Sequence, residues 1–225
     1  MAMNKNRKQH GFTLIELMVT IAILAIMMAI ALPNMSEFLN TRRVANRADQ
    51  VANLFRFART EAARLNLPVV VCYSNVRADG KADNLCTPAS AAGERGMSAF
   101  AIRGDLPYNT GRDELLRSTA IYQGNKNVDV VFSHITFAGA VNAAAANSNI
   151  LVFYPNGTFG HMSRNDVSVN TATVASGLVR FQFRDELAAD DATRNRRGTT
   201  LLIDAGGRVS VCSRSNPPAA CTVGI

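Results

Sequence analysis

Near the start of the chain a glycine, an aromatic residue and a carboxylate fall in a spacing that bears on chemistry. Gly11 precedes Phe12, and Glu16 follows four residues later, inside an apolar block over residues 12–32 that Thr20 also interrupts. A carboxylate at the centre of a membrane-spanning helix costs roughly 2.5–3.5 kcal/mol on insertion scales, and less near its end. Export does not require such a group, whereas pairing with an opposite charge in an apolar interior would use it. Cys72, Cys86, Cys212 and Cys221 form two sequence-local pairs without Cys-x-x-Cys and apart from the histidines. An oxidising compartment and two disulfides fit them better than a zinc site. Short loops favour Cys72–Cys86 and Cys212–Cys221; a crossed pairing follows if the strands bearing Cys72 and Cys212 lie side by side. His134 and His161 lack partners at metal-ligand spacing, Gly206-Gly207 reads as a turn, and Gly-x-Ser-x-Gly is absent. Asp185, Glu186, Asp190 and Asp191 share a polar stretch with Arg194, Arg196 and Arg197, which reads as self-compensating surface charge. These residues predict no catalytic group, metal or cofactor, and no enzyme.

The element that carries Glu16 is a helix. Twenty-one residues at ~1.5 Å each span roughly 31 Å, about one hydrocarbon core. Lys5, Arg7 and Lys8 precede the block and place the N-terminus in the cytoplasm and the rest outside. A secretory signal peptide cut after Ala29-Ile30-Ala31, or a plain signal anchor, would also be basic and then apolar. The length of the block and the position of Glu16 both count against these. The net charge of +7 falls to +4, with 21 basic against 17 acidic residues, once those three leader residues are set aside. A mildly basic domain with no run of like charges does not by itself call for nucleic acid.

Residues 11–16, Gly-Phe-Thr-Leu-Ile-Glu, resemble the class III signal of type IV pilins and pseudopilins at every position. The resemblance implies that a prepilin peptidase cuts between Gly11 and Phe12 and that the new Phe12 amine is N-methylated. A free ammonium on Phe12 then gives Glu16 of a neighbouring subunit its partner, and the pair selects register in a filament core.

Pro33 follows and favours a kink; in the family the helix continues past it. Val44, Ala48, Val51, Phe55, Ala58, Ala62 and Leu65 form one apolar stripe at helical spacing, which predicts packing against a following sheet. Arg42, Arg43, Arg47, Arg56, Arg59 and Arg64 on the opposite side read as a solvated face. Asn66-Leu67-Pro68 ends the helix. Beyond it, residues 69–73, 98–102, 115–122, 128–132, 150–154, 178–183, 199–204 and 208–212 read as strands. Tyr154-Pro155-Asn156-Gly157 and Asp204-Ala205-Gly206-Gly207 read as turns. Residues 74–96, 139–149, 160–177 and 185–198 read as polar connections.

A long N-terminal helix before a strand-rich head is similar to the GspH/FimT/FimU group of minor pilins and pseudopilins. The helix end over 56–68, the turn at 155–157 and Gly207-Arg208-Val209 carry that likeness. It implies an α+β type IV pilin fold with a cleaved leader over 1–11, a helix over 12–66 (12–32 in the membrane or filament core) and a β-rich periplasmic head over 67–225. It further implies a single-pass inner-membrane protein that enters a pilus, initiates its assembly or caps it. The partners implied are major and minor pilins, the prepilin peptidase and the inner-membrane assembly platform. Two other roles fall within the group: a minor pseudopilin of type II secretion, and DNA uptake through a C-terminal Gly-Arg-x-Arg motif. Here Gly207-Arg208-Val209-Ser210 keeps only the first arginine, so the expected nucleic-acid contact, by Arg208 with Arg214 assisting, is weak.

Overall fold

The computed structural model describes residues 12–77, 81–82, 96–104, 109, 111–121, 128–135, 141–143, 150–162, 173–174, 177–212 and 221. The chain divides into two compact units, Met1–Asn40 and Thr41–Ile225. Helix α1 (Leu14–Leu65) runs through Pro33 without ending there. At its start the Thr13 hydroxyl accepts a bond from the Glu16 amide at 3.3 Å, and the Thr13 carbonyl accepts one from the Leu17 amide at 3.2 Å. A threonine three residues ahead of a glutamate is the sequence form of a capping box, so Thr13 starts the helix. Thr20 donates its hydroxyl hydrogen to the Leu17 carbonyl at 2.8 Å, which satisfies it inside the apolar block.

In the second unit α1 buries Val44, Ala48, Val51, Phe55, Ala58 and Ala62, and Ala52 and Leu54 widen the stripe on its two flanks. Asn66 takes a left-handed conformation (φ 53°), which an asparagine tolerates, and Pro68 prevents continuation. Eleven strands and a short helix follow among the described residues: β1 (Val69–Ser74), β2 (Gly96–Ala101), β3 (Glu114–Ala120), β4 (Val128–Ile135), β5 (Val141–Ala143), β6 (Ile150–Phe153), β7 (Phe159–Met162), β8 (Thr173–Val174), β9 (Leu178–Asp185), α2 (Asp191–Arg197), β10 (Thr199–Ile203) and β11 (Val209–Val211). They make two antiparallel sheets, ordered β3-β2-β1-β6-β7-β8 and β11-β10-β9-β4-β5. The class is α+β, as the sequence predicts. Strands β5, β7 and β8 and helix α2 lie where polar connections were expected, because short elements with glycine, histidine or charge show little periodicity.

Central strand β1 explains its own unbroken apolar run. Val69, Val71 and Tyr73 join the core under α1, while Val70 and Cys72 join a second cluster with Phe100, Ile102, Ile150, Val152 and Met162. A strand buried on both faces needs no polar alternation. Phe55 of α1 is the hub of the first core. Its ring centroid lies 5.1 Å from that of Phe181 and 6.4 Å from that of Phe153, and Phe153 is 5.1 Å from Phe159.

The charged stretch at 185–198 is not surface charge throughout, which corrects the sequence reading. Asp185 closes β9 fully buried and accepts bonds from Arg43 at 2.6 Å and Arg197 at 2.7 Å. Nor are the α1 arginines simply a solvated face: Arg47 donates to the Ala120 carbonyl at 3.3 Å, and Arg56 to the Val209 carbonyl at 3.4 Å. Burial lowers the pKa of Arg47. In α2, Asp190 caps the helix, and bonds from the Thr193 amide and hydroxyl hold its carboxyl below the usual range. Asp113 is buried and pins the turn between β2 and β3. Burial would raise its pKa, but bonds from Arg112 and from the Arg103 and Asn109 amides outweigh it, and the net shift is downward.

Cys212 is bonded to Cys221, with Cα atoms 6.1 Å apart. Cys72 is also disulfide-bonded, and Cys86 lies outside the described residues. Because Cys72 sits on β1 of the first sheet and Cys212 follows β11 of the second, the side-by-side strands that a crossed pairing needs do not occur.

Candidate functional site: the assembly segment and the β10–β11 hairpin

Two places carry the residues that the sequence singles out. The first is the start of α1. Phe12 is 80% exposed, and the large apolar side chains from Leu14 to Ile30 are exposed by 49 to 75%. They contrast with the buried stripe of the same helix that begins at Val44. Glu16 stands in the first helical turn, where the unpaired amides of the helix N-terminus favour a negative charge. Its amide is capped by Thr13, which gives Thr13 a local structural role that linear reading did not assign. The Thr-x-x-Glu spacing was the available signal. Among the described residues no single helix is long and apolar enough to cross a membrane; Leu14–Ile30 and Met35–Leu65 pass that test only together. Gly11 lies outside the described residues.

The second place is the turn between β10 and β11. The Gly207 amide donates to the Asp204 carbonyl at 2.8 Å, and the Asp204 amide donates to the Arg208 carbonyl at 3.2 Å. Gly207 has φ +71°, and a Cβ there would lie 3.4 Å from Phe159 and 3.5 Å from the Phe153 ring. A Cβ there would be in ordinary contact, so it is the left-handed φ that favours glycine at this position. The Asp204 carboxylate accepts from the Gly206 and Arg208 amides at 3.0 and 2.9 Å. With Arg56 on the Val209 carbonyl, the hairpin is fastened to α1 and seated on the aromatic core. Arg208 and Ser210 are exposed on it, and Arg214 lies outside the described residues. Among the described residues no group of three or more His, Cys, Asp or Glu side chains is placed to hold a metal.

A family model for the prokaryotic N-terminal methylation motif matches residues 6–32, which contain Gly11, Phe12 and Glu16. The model for type II transport protein GspH matches residues 47–197, from the head portion of α1 to the end of α2. The chain belongs to the GspH family. A GspH-family chain with a methylation motif is a pilin- or pseudopilin-type structural subunit with a membrane-anchored N-terminal helix. The β10–β11 hairpin and Arg208 lie outside both matches. Two crystal structures of the Pseudomonas aeruginosa type IV minor pilin FimU are similar to this chain. One has a TM-score of 0.41 at 15% identity and covers 79% of this chain and 98% of FimU. The other has a TM-score of 0.45 at 14% identity and covers 82% and 98%. At these values the assignment rests on the family models. A comparison with curated proteins finds no match.

Proposed function

We propose that this GspH-family chain is a minor type IV pilin that enters the filament through α1 and takes part in initiating or capping it. The observation that carries this reading is the uncovered apolar segment from Phe12 to Ile30, joined in one helix to a residue stripe that is fully buried in the head. Such a segment is stable in lipid or among its own kind, and leaves one for the other during assembly. In this reading prepilin peptidase removes 1–11 and Phe12 is N-methylated. Its ammonium meets Glu16 of a neighbouring subunit, the single-pass topology puts 67–225 in the periplasm, and the assembly platform and other pilins are the partners. Deleting the chain tests it: filament number falls and type II secretion is unchanged. Intact filaments with lost secretion would make it a pseudopilin instead.

A second reading, DNA capture, has one observation in its favour: Arg208 is exposed on a hairpin whose backbone is held at both ends. One arginine neutralises few phosphates, and the exposed Ser210 adds none. Titration of the purified chain with duplex DNA at two salt concentrations is expected to give Kd of roughly 10⁻⁴–10⁻⁶ M, the non-specific range. Sub-micromolar binding at physiological salt, lost in Arg208→Gln, would reverse the ranking.

A further inference from the structure

The buried Asp185 carboxylate joins three elements at one point. Arg43 of α1 reaches Oδ1 at 2.6 Å, Arg197 at the end of α2 reaches Oδ2 at 2.7 Å, and the Leu187 amide donates to Oδ1 at 3.3 Å. Asp185 has no exposed side-chain surface, whereas Arg43 and Arg197 keep 18% and 15% of theirs. Arg43 lies three residues into the second compact unit, which begins at Thr41, and immediately before Val44, the first fully buried residue among those of α1 whose side chains are described. We propose that Asp185, Arg43 and Arg197 form a latch that fastens the entry turn of α1 to the head, and that Arg43 can leave it while Arg197 keeps the carboxylate paired.

The reason lies in the charges. A buried carboxylate stripped of every cation is costly, so a single Arg–Asp pair would act as a rivet that breaks only when the head unfolds. Here Asp185 holds two guanidiniums, and one suffices to prevent an orphaned buried charge. Arg43, like Arg197, has an exposed edge through which it can return to water, where its own charge costs nothing to hold, and of the two it is the one carried by α1. The next fastenings along α1 are the buried Val44 and then Arg47 on the Ala120 carbonyl, and beyond them Phe55 locks the helix into the aromatic core. Release of Arg43 therefore loosens the turn ahead of Val44, whose carbonyls take the amides up to residue 47, and stops there. A subunit whose head must settle among neighbours after its helix has docked would use such a local opening.

Hydrogen exchange of the full chain in detergent micelles tests the latch. In Arg43→Gln, amides at 41–47 exchange about tenfold faster and those at 54–62 stay within about twofold, the signature of a local rather than global opening. Arg197→Gln leaves 41–47 at the wild-type rate and speeds exchange across 191–197 instead. Unchanged exchange at 41–47 in Arg43→Gln would overturn the proposal. So would an equal rise throughout the head, or a head that fails to fold, because either makes Arg43 a support of the whole core.

Discussion

Replacing Glu16 with valine removes the chain from sheared filaments while its level in the membrane holds or rises. The two halves of this result have opposite causes. Valine lowers the cost of placing the helix in lipid, so insertion does not suffer. Entry into the filament loses the carboxylate that would neutralise the Phe12 ammonium of a neighbour, and an unpaired charge in that core is strongly unfavourable. If the chain primes assembly, the loss reads out as fewer filaments. Because Glu16 also stands at the third position of a helix capped by Thr13, charge and cap have to be separated. Glu16→Gln does this, since glutamine serves in a capping box and carries no charge. The same loss in both variants supports pairing. Wild-type recovery in Glu16→Gln, or in Glu16→Val, removes it.

Phe55→Ala is expected to destabilise the head by about 3–5 kcal/mol, the range for emptying a fully buried aromatic site. Phe55 has no exposed surface and touches Phe153 of the first sheet and Phe181 of the second, so its removal opens a cavity where α1 meets both sheets. A domain of ordinary stability has only about 5–15 kcal/mol in total, so the variant melts far lower or stays partly unfolded. Denaturant unfolding measures the change. A loss below about 1 kcal/mol would mean that the core recloses around the site, against the packing described.

Parts of this structure governed by local pattern were legible in the sequence. The motif at 11–16 is contiguous, and the stripe from Val44 to Ala62 repeats at helical spacing, so both can be read one window at a time. The same holds for the turns at 154–157 and 204–207, where glycine takes a left-handed conformation. Ala52 and Leu54 escaped because two sheets wrap α1 and widen its buried arc beyond a single stripe. Strand β7, with the sequence Phe-Gly-His-Met, is specified by the preceding turn, which sets Phe159 opposite Phe153, rather than by any alternation of its own. Asp185 was misread because its nearest charges in sequence are its neighbours, whereas its partner Arg43 lies 142 residues away. Arg180 shows the same limit. An arginine alternating with apolar residues along β9 reads as solvent-facing, yet it is buried and donates to Ser133 of β4 at 3.0 Å. Non-local pairing of charge leaves no mark on a linear pattern.

The N-terminus of the mature protein bears most directly on the claim that this chain is a filament subunit. A free Phe12 amine at the head of a retained apolar helix requires a cut between Gly11 and Phe12. Intact-mass analysis of the chain purified from membranes is expected to show loss of residues 1–11 and the added mass of one methyl group on Phe12. A bulky residue in place of Gly11 should leave the precursor uncut. A mature chain beginning at Leu32, after the Ala29-Ile30-Ala31 site, would discard the helix that inserts and docks, and would contradict the account altogether.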